Sequence, residues 1–106
     1  MNNRKNHEKE DIDGLFRIIL RLNNVAEARK FFRDLLTENE LSEFAQRWKA
    51  AKMLSEGKAY LDIEKETRMS SATIARVRRW LNNGMGGYKL MIKKQKYETR
   101  NFNKKQ

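Results

Sequence analysis

The chain has 106 residues, neither cysteine nor proline, 24 Lys+Arg against 14 Asp+Glu, and a formal net charge of +10. This length holds one domain, and the lack of cysteine excludes disulfides, thiol nucleophiles and cysteine-ligated zinc, while a single histidine, His7, leaves little for other metals. With no proline and five glycines the composition disfavours a turn-rich β fold and points to a small, basic, helical, cytoplasmic binding protein rather than an enzyme.

Residues 1–10 have no apolar stretch of the kind a secretory leader needs and read as a flexible arm. The first helix opens with Asp11 or Asp13 as its cap, followed by Ile12, Leu15, Phe16, Ile19 and Leu22 at three- and four-residue spacing. Its longest apolar run, Leu15 to Leu22, contains Arg17 and Arg21. A membrane span needs roughly 20 apolar residues, so no membrane partner is expected. Asn24 caps a second helix that carries Val25, Ala28, Phe31, Phe32, Leu35 and Leu36. Thr37-Glu38-Asn39-Glu40 is a capping box, in which Thr37 satisfies a free backbone donor and Glu40 reaches back to the cap. It opens a long helix with the stripe Leu41, Phe44, Ala45, Trp48, Ala51 and Leu54, closed by Gly57. All these stripes are assigned to the core.

Two short helices follow, over residues 60–67 and about 70–82, with a break at Arg68-Met69. In the first, Tyr60 and Ile63 face inward and Asp62, Glu64, Lys65 and Glu66 outward. The second is capped by Ser70, buries Ile74, Val77 and Leu81, and turns Ala72, Arg76 and Arg79 the other way. Two helices of this size joined by so short a turn form a helix-turn-helix. Ser70, Ser71, Ala72 and Thr73 are small enough to enter a major groove, with hydroxyls for base edges or phosphates and methyls for thymine. Arg76 and Arg79, one turn apart, reach the backbone or guanine. Lys65, Arg68 and Ala75 complete the candidate DNA-binding set, against repulsion from Asp62, Glu64 and Glu66. The glycine-rich 82–87 is a loop, and Tyr88 to about Tyr97 form a last helix through Tyr88, Met91 and Ile92. Residues 98–106 read as a basic flexible tail, which leaves 11–97 as the domain proper.

Net charge is +2 over residues 1–37, −1 over 38–69 and +9 over 70–106. Clustered cations gain affinity for nucleic acid by releasing condensed counterions, although charge alone does not separate DNA from RNA or an anionic membrane. Only 39% of the residues are hydrophobic. A chain of ~100 residues buries only about two-thirds of its unfolded surface, which favours a dimer that shares its core. No catalytic constellation, metal site or cofactor site is legible.

Leu36-Thr37-Glu38-Asn39-Glu40-Leu41, Gln46-Arg47, Leu54-Ser55-Glu56-Gly57 and Ala72-Thr73-Ile74-Ala75-Arg76 resemble the signature stretches of the Trp repressor family. Phe31-Phe32-Arg33-Asp34-Leu35 and Arg76-Val77-Arg78-Arg79-Trp80-Leu81-Asn82 make the chain more similar still to the YerC/YecD branch of that superfamily, over roughly residues 10–95. The resemblance implies an all-α, Trp-repressor-like helical bundle with a helix-turn-helix, built as an intertwined homodimer whose two heads read a pseudo-palindromic operator in double-stranded DNA. The implied function is a sequence-specific transcriptional regulator, most simply a repressor. Two alternatives stand beside it: a nonspecific nucleic-acid binder acting through the basic last third, and a protein-interaction module docking through Tyr88 to Ile92.

In the repressor proper, L-tryptophan binds beside the reading head in a pocket made by a threonine, two arginines, a glycine and a serine. Thr37, Arg47 and Arg76 match the first three, but Val77 stands at the glycine and Trp80 at the serine. Both add volume where a ligand needs room, so the resemblance implies a vestigial pocket and no response to L-tryptophan. Trp80 either packs on the core beside Leu81 or fills the vacated space between Arg47 and Arg76. The family often has glycine where Arg68 stands; a positive φ there costs arginine on the order of 1 kcal/mol.

Overall fold

A computed structural model describes the backbone of residues 3–105 and the side chains of residues 4–98. Among the described residues the chain is all-helical: α1 (Asn3–Ile19), α2 (Val25–Leu35), α3 (Glu38–Ser55), α4 (Tyr60–Thr67), α5 (Ser71–Asn83) and α6 (Gly87–Lys105). Among the described residues no helix is long and apolar enough to cross a membrane. The chain divides into two units, Met1–Leu41 and Ser42–Gln106.

In the first unit α1 begins at Asn3, so Asp11 and Asp13 lie inside the helix instead of capping it, and residues 3–10, expected as an arm, are helical. Nothing before Gly14 breaks a helix. Opposite charges three or four residues apart, as in Arg4 and Glu8 or Lys5 and Glu8, support one on the surface. At α2 the Asn24 side chain accepts from the Glu27 N–H at 2.9 Å, and the Glu27 carboxylate accepts from the Asn23 N–H at 3.0 Å. The cap of α3 is the expected reciprocal pair: the Glu40 N–H donates to Thr37 Oγ1 at 3.1 Å and the Thr37 N–H to Glu40 Oε1 at 3.0 Å.

The apolar stripes of α1 and α2 do not form a core in the isolated chain. None of residues 4–41 is buried; Phe16 is 56% exposed, Val25 65% and Leu20 83%, while Phe31 and Phe32 meet edge to face at the half-buried level. Amphipathic helices of this kind draw their stability from covering an apolar face.

The second unit has a core of Ala50, Ala51, Ile63, Ile74 and Val77, with Met53, Leu54, Tyr60, Met69 and Tyr88 packed against it. Leu81 and Ile92 are buried as well. Each fully buried isoleucine contributes about 2–3 kcal/mol. The expected α3 stripe is only partly correct. Ala51 is buried and Leu54 half-buried, but Phe44 is 47% exposed, Ala45 is exposed, and Ala50, outside the expected stripe, is fully buried. The core contact thus falls on the C-terminal half of α3, where the short Ala50-Ala51 pair meets residues of α4 and α5.

Gly57 ends α3 with φ +77°. The Lys58 N–H donates to the Met53 carbonyl at 3.0 Å and the Gly57 N–H to the Leu54 carbonyl at 3.1 Å, a Schellman pattern. The last helix begins at Gly87 and extends beyond the expected end near Tyr97 to Lys105. The side chains of residues 99–106, which include most of the expected tail, lie outside the described residues.

Candidate nucleic-acid interface

The turn between α4 and α5 is fixed from both sides. Thr67, buried at the end of α4, donates its hydroxyl to the Ile63 carbonyl at 2.6 Å and accepts from the Met69 N–H at 3.2 Å. Arg68 then adopts a left-handed conformation, φ +60° and ψ +15°, with its N–H on the Glu64 carbonyl at 2.7 Å. Its positive φ, unique among the described non-glycine residues, falls on the position the sequence marks as unusual. Ser70 closes the turn as the cap of α5, its Oγ accepting from the Thr73 N–H at 3.2 Å.

Along α5 the residues separate by face. Ile74, Val77 and Leu81 are buried against the core, and Ser71, Ala72, Ala75, Arg76 and Arg79 are exposed. The small residues occupy the N-terminal turn and the arginines follow, the order that lets a helix approach a groove by its tip. Two of the expected hydroxyl contacts are occupied internally: Ser70 Oγ and Thr73 Oγ1 lie 3.0 Å apart. Ser71 carries the hydroxyl that remains on the exposed tip. Lys65 and Arg68 are also exposed, and Glu66 is drawn off by Lys49 at 3.1 Å, which lessens the acidic character of α4.

The residues matching the tryptophan pocket occupy different settings. Thr37 serves as the α3 cap. Arg47 is half-buried with its guanidinium 5.7 Å from the Phe44 ring centroid, and Arg76 is exposed on α5. Val77 is 1% exposed and belongs to the core. Trp80 is 44% exposed and lines an apolar groove of about 540 Å³ with Trp48, Tyr88 and Met91, a lining that includes neither Arg47 nor Arg76. Trp48 and Tyr88 stack there, their rings 6.4 Å apart.

One part of this surface is absent from the sequence reading. On α5, Arg78 follows Val77 at the edge of the buried stripe and lines a cleft with Tyr60 of α4, whose phenol raises the Arg78 pKa. The signal was available in the helical register: at about 100° per residue, position 78 falls between the exposed face and the face that meets α4.

The model for the Trp repressor protein family matches residues 10–96. The chain is 46% identical over 83 residues to the uncharacterized protein YerC of Bacillus subtilis (strain 168), covering 78% of this chain and 80% of that one. Among solved structures it is similar to a TrpR-like protein from Eubacterium eligens, with a TM-score of 0.79 and 43% identity over 81% of this chain and 89% of the other. It is equally similar to a candidate Trp repressor from Staphylococcus aureus, with a TM-score of 0.79 and 40% identity over 82% and 87% of the two chains. A basic helix-turn-helix, an all-helical fold and these likenesses coincide: the chain belongs to the Trp repressor family, among its YerC-like members, and is a DNA-binding regulator rather than an enzyme.

Proposed function

We propose that the chain is a sequence-specific transcriptional regulator, a repressor that occupies a promoter, acting in the cytoplasm as a homodimer and without L-tryptophan. The observation that carries this reading is α5, whose apolar face is buried while Ser71, Ala72, Ala75, Arg76 and Arg79 remain exposed on the other. Thr73 and Ser70 shape the tip of that helix, and Lys65 and Arg68 meet phosphates beside it. The homodimer is supported by the uncovered apolar residues of α1 and α2, which need a second surface. Independence from tryptophan is supported by Val77, whose branched side chain is packed into the core at the position where the repressor keeps a glycine.

Selection of bound duplexes from random DNA tests this reading. The expected result is one motif with two half-sites spaced by a helical turn, about 34–36 Å, or a multiple of it. Arg76→Ala and Arg79→Ala each weaken binding to that motif on the order of tenfold, and added L-tryptophan leaves its affinity unchanged. Equal binding to all duplexes, lost on removing residues 93–106 and indifferent to Arg76 and Arg79, would instead establish a nonspecific binder working through its basic tail.

A further inference from the structure

Tyr60 packs against the core from the first turn of α4, and it shares a cleft with Arg78 on the adjoining flank of α5. This cleft has a volume of about 370 Å³, and its lining includes Gly57, Lys58, Tyr60, Arg78 and Asn82. The lining brings together two cations, a phenol and a side-chain amide, with no carboxylate among them. Lys58 is placed by the Schellman turn, through its N–H bond to the Met53 carbonyl. An arginine has five N–H donors in a fixed fork, so a guanidinium that shares the cleft with the Tyr60 phenol has donors left for a ligand. Two cations, one of them a guanidinium, suit a phosphate oxygen through charge-assisted hydrogen bonds.

The cleft stands apart from the base-facing residues. Arg78 is displaced by about 100° around α5 from Arg79, toward α4. A helix lying in a major groove meets base edges along its outer face and the phosphate walls along its flanks. Resting on the DNA-binding reading above, we propose that Lys58, Tyr60 and Arg78 clamp one backbone phosphate of duplex DNA on the wall of the groove that α5 occupies. Lys58 and Arg78 supply charge to a single phosphate and Tyr60 positions the guanidinium, so the clamp adds affinity without choosing sequence.

The test measures affinity for the selected duplex and a random duplex between about 50 and 200 mM salt, for the wild-type chain and for Arg78→Gln, Lys58→Gln, the double variant, Tyr60→Phe and a distant control, Lys30→Gln on α2. Lys58 and Arg78 are exposed, and thermal melting checks that the variants fold. Arg78→Gln is expected to weaken both duplexes on the order of tenfold and to reduce the slope of log K against log salt by about one, the contribution of one phosphate. The double variant is expected to reduce the slope by about one and not two, because both cations serve the same phosphate. Tyr60→Phe should weaken binding with the slope kept. An Arg78→Gln protein that binds like the wild type, or loses no more than the control, overturns the clamp while leaving the regulator reading intact. A wild-type chain that binds no duplex overturns the reading on which the clamp rests. Inorganic phosphate titrated without DNA, with the Arg78 Nε–H followed by NMR, separates the source. Saturation below about 1 mM, abolished by Lys58→Gln, would make this a free-anion site and overturn the DNA assignment.

Discussion

Arg68 holds a left-handed conformation that glycine adopts freely and that costs a side-chain-bearing residue on the order of 1–2 kcal/mol. Replacing it with glycine relieves that strain, less the entropy the unfolded chain regains. Arg68→Gly is therefore expected to raise stability by up to about 1 kcal/mol in urea unfolding while weakening DNA binding, because a cation beside the turn is lost. A variant that gains stability and keeps full affinity would remove Arg68 from the phosphate contacts. Residues whose partners lie within a few positions were readable in advance. Asn24, Gly57 and Ser70 each act on backbone groups no more than four residues away, so local spacing identifies them. Trp80 and Arg78 were not readable in this way. Their surroundings come from other helices, Trp48 on α3 and Tyr88 and Met91 on α6 in one case, Tyr60 on α4 in the other.

At the scale of elements, the capping box at the start of α3 gives the protein a defined response to acid. The Thr37 N–H and hydroxyl both favour the ionised Glu40 carboxylate and lower its pKa. A carboxylate with a depressed folded pKa contributes stability above its unfolded pKa, and this is lost as the pH falls through the folded value. The α3 cap is thus expected to weaken below the ordinary carboxylate range, and Glu40→Gln to flatten that part of the stability profile while leaving the neutral-pH fold in place. Acid titration of wild type and variant by circular dichroism measures this. Helix starts were legible where a cap residue marks them, as at α2, α3 and α5. The start of α1 was missed because residues 3–13 carry no apolar repeat that local spacing would mark. The α3 stripe was misassigned in its first half because a helical wheel identifies an apolar face without showing where along the helix a neighbour covers it.

For the whole molecule, the contrast between the two units decides what is stable alone. Residues 50–92 supply every buried side chain among the described residues, while residues 4–41 supply none. The regulator is therefore expected to sediment as a dimer at micromolar concentration. Phe16→Glu, which places a charge on the uncovered stripe of α1, should shift it toward monomer while the helix-turn-helix keeps its fold, as followed by amide exchange at Ile63, Ile74 and Val77. The fold class and the helix-turn-helix were legible in the sequence because periodicity and turn chemistry are local properties. That the apolar faces of the first two helices stay uncovered was not, because periodicity identifies an apolar face without showing what packs on it. The absence of burial over residues 4–41 also carries a consequence for melting. If a second protomer covers that stretch, its ordering is linked by mass action to protein concentration. Dilution then acts on the first two helices as heat does, and a tenfold change in concentration moves their transition while the transition of the reading head stays fixed.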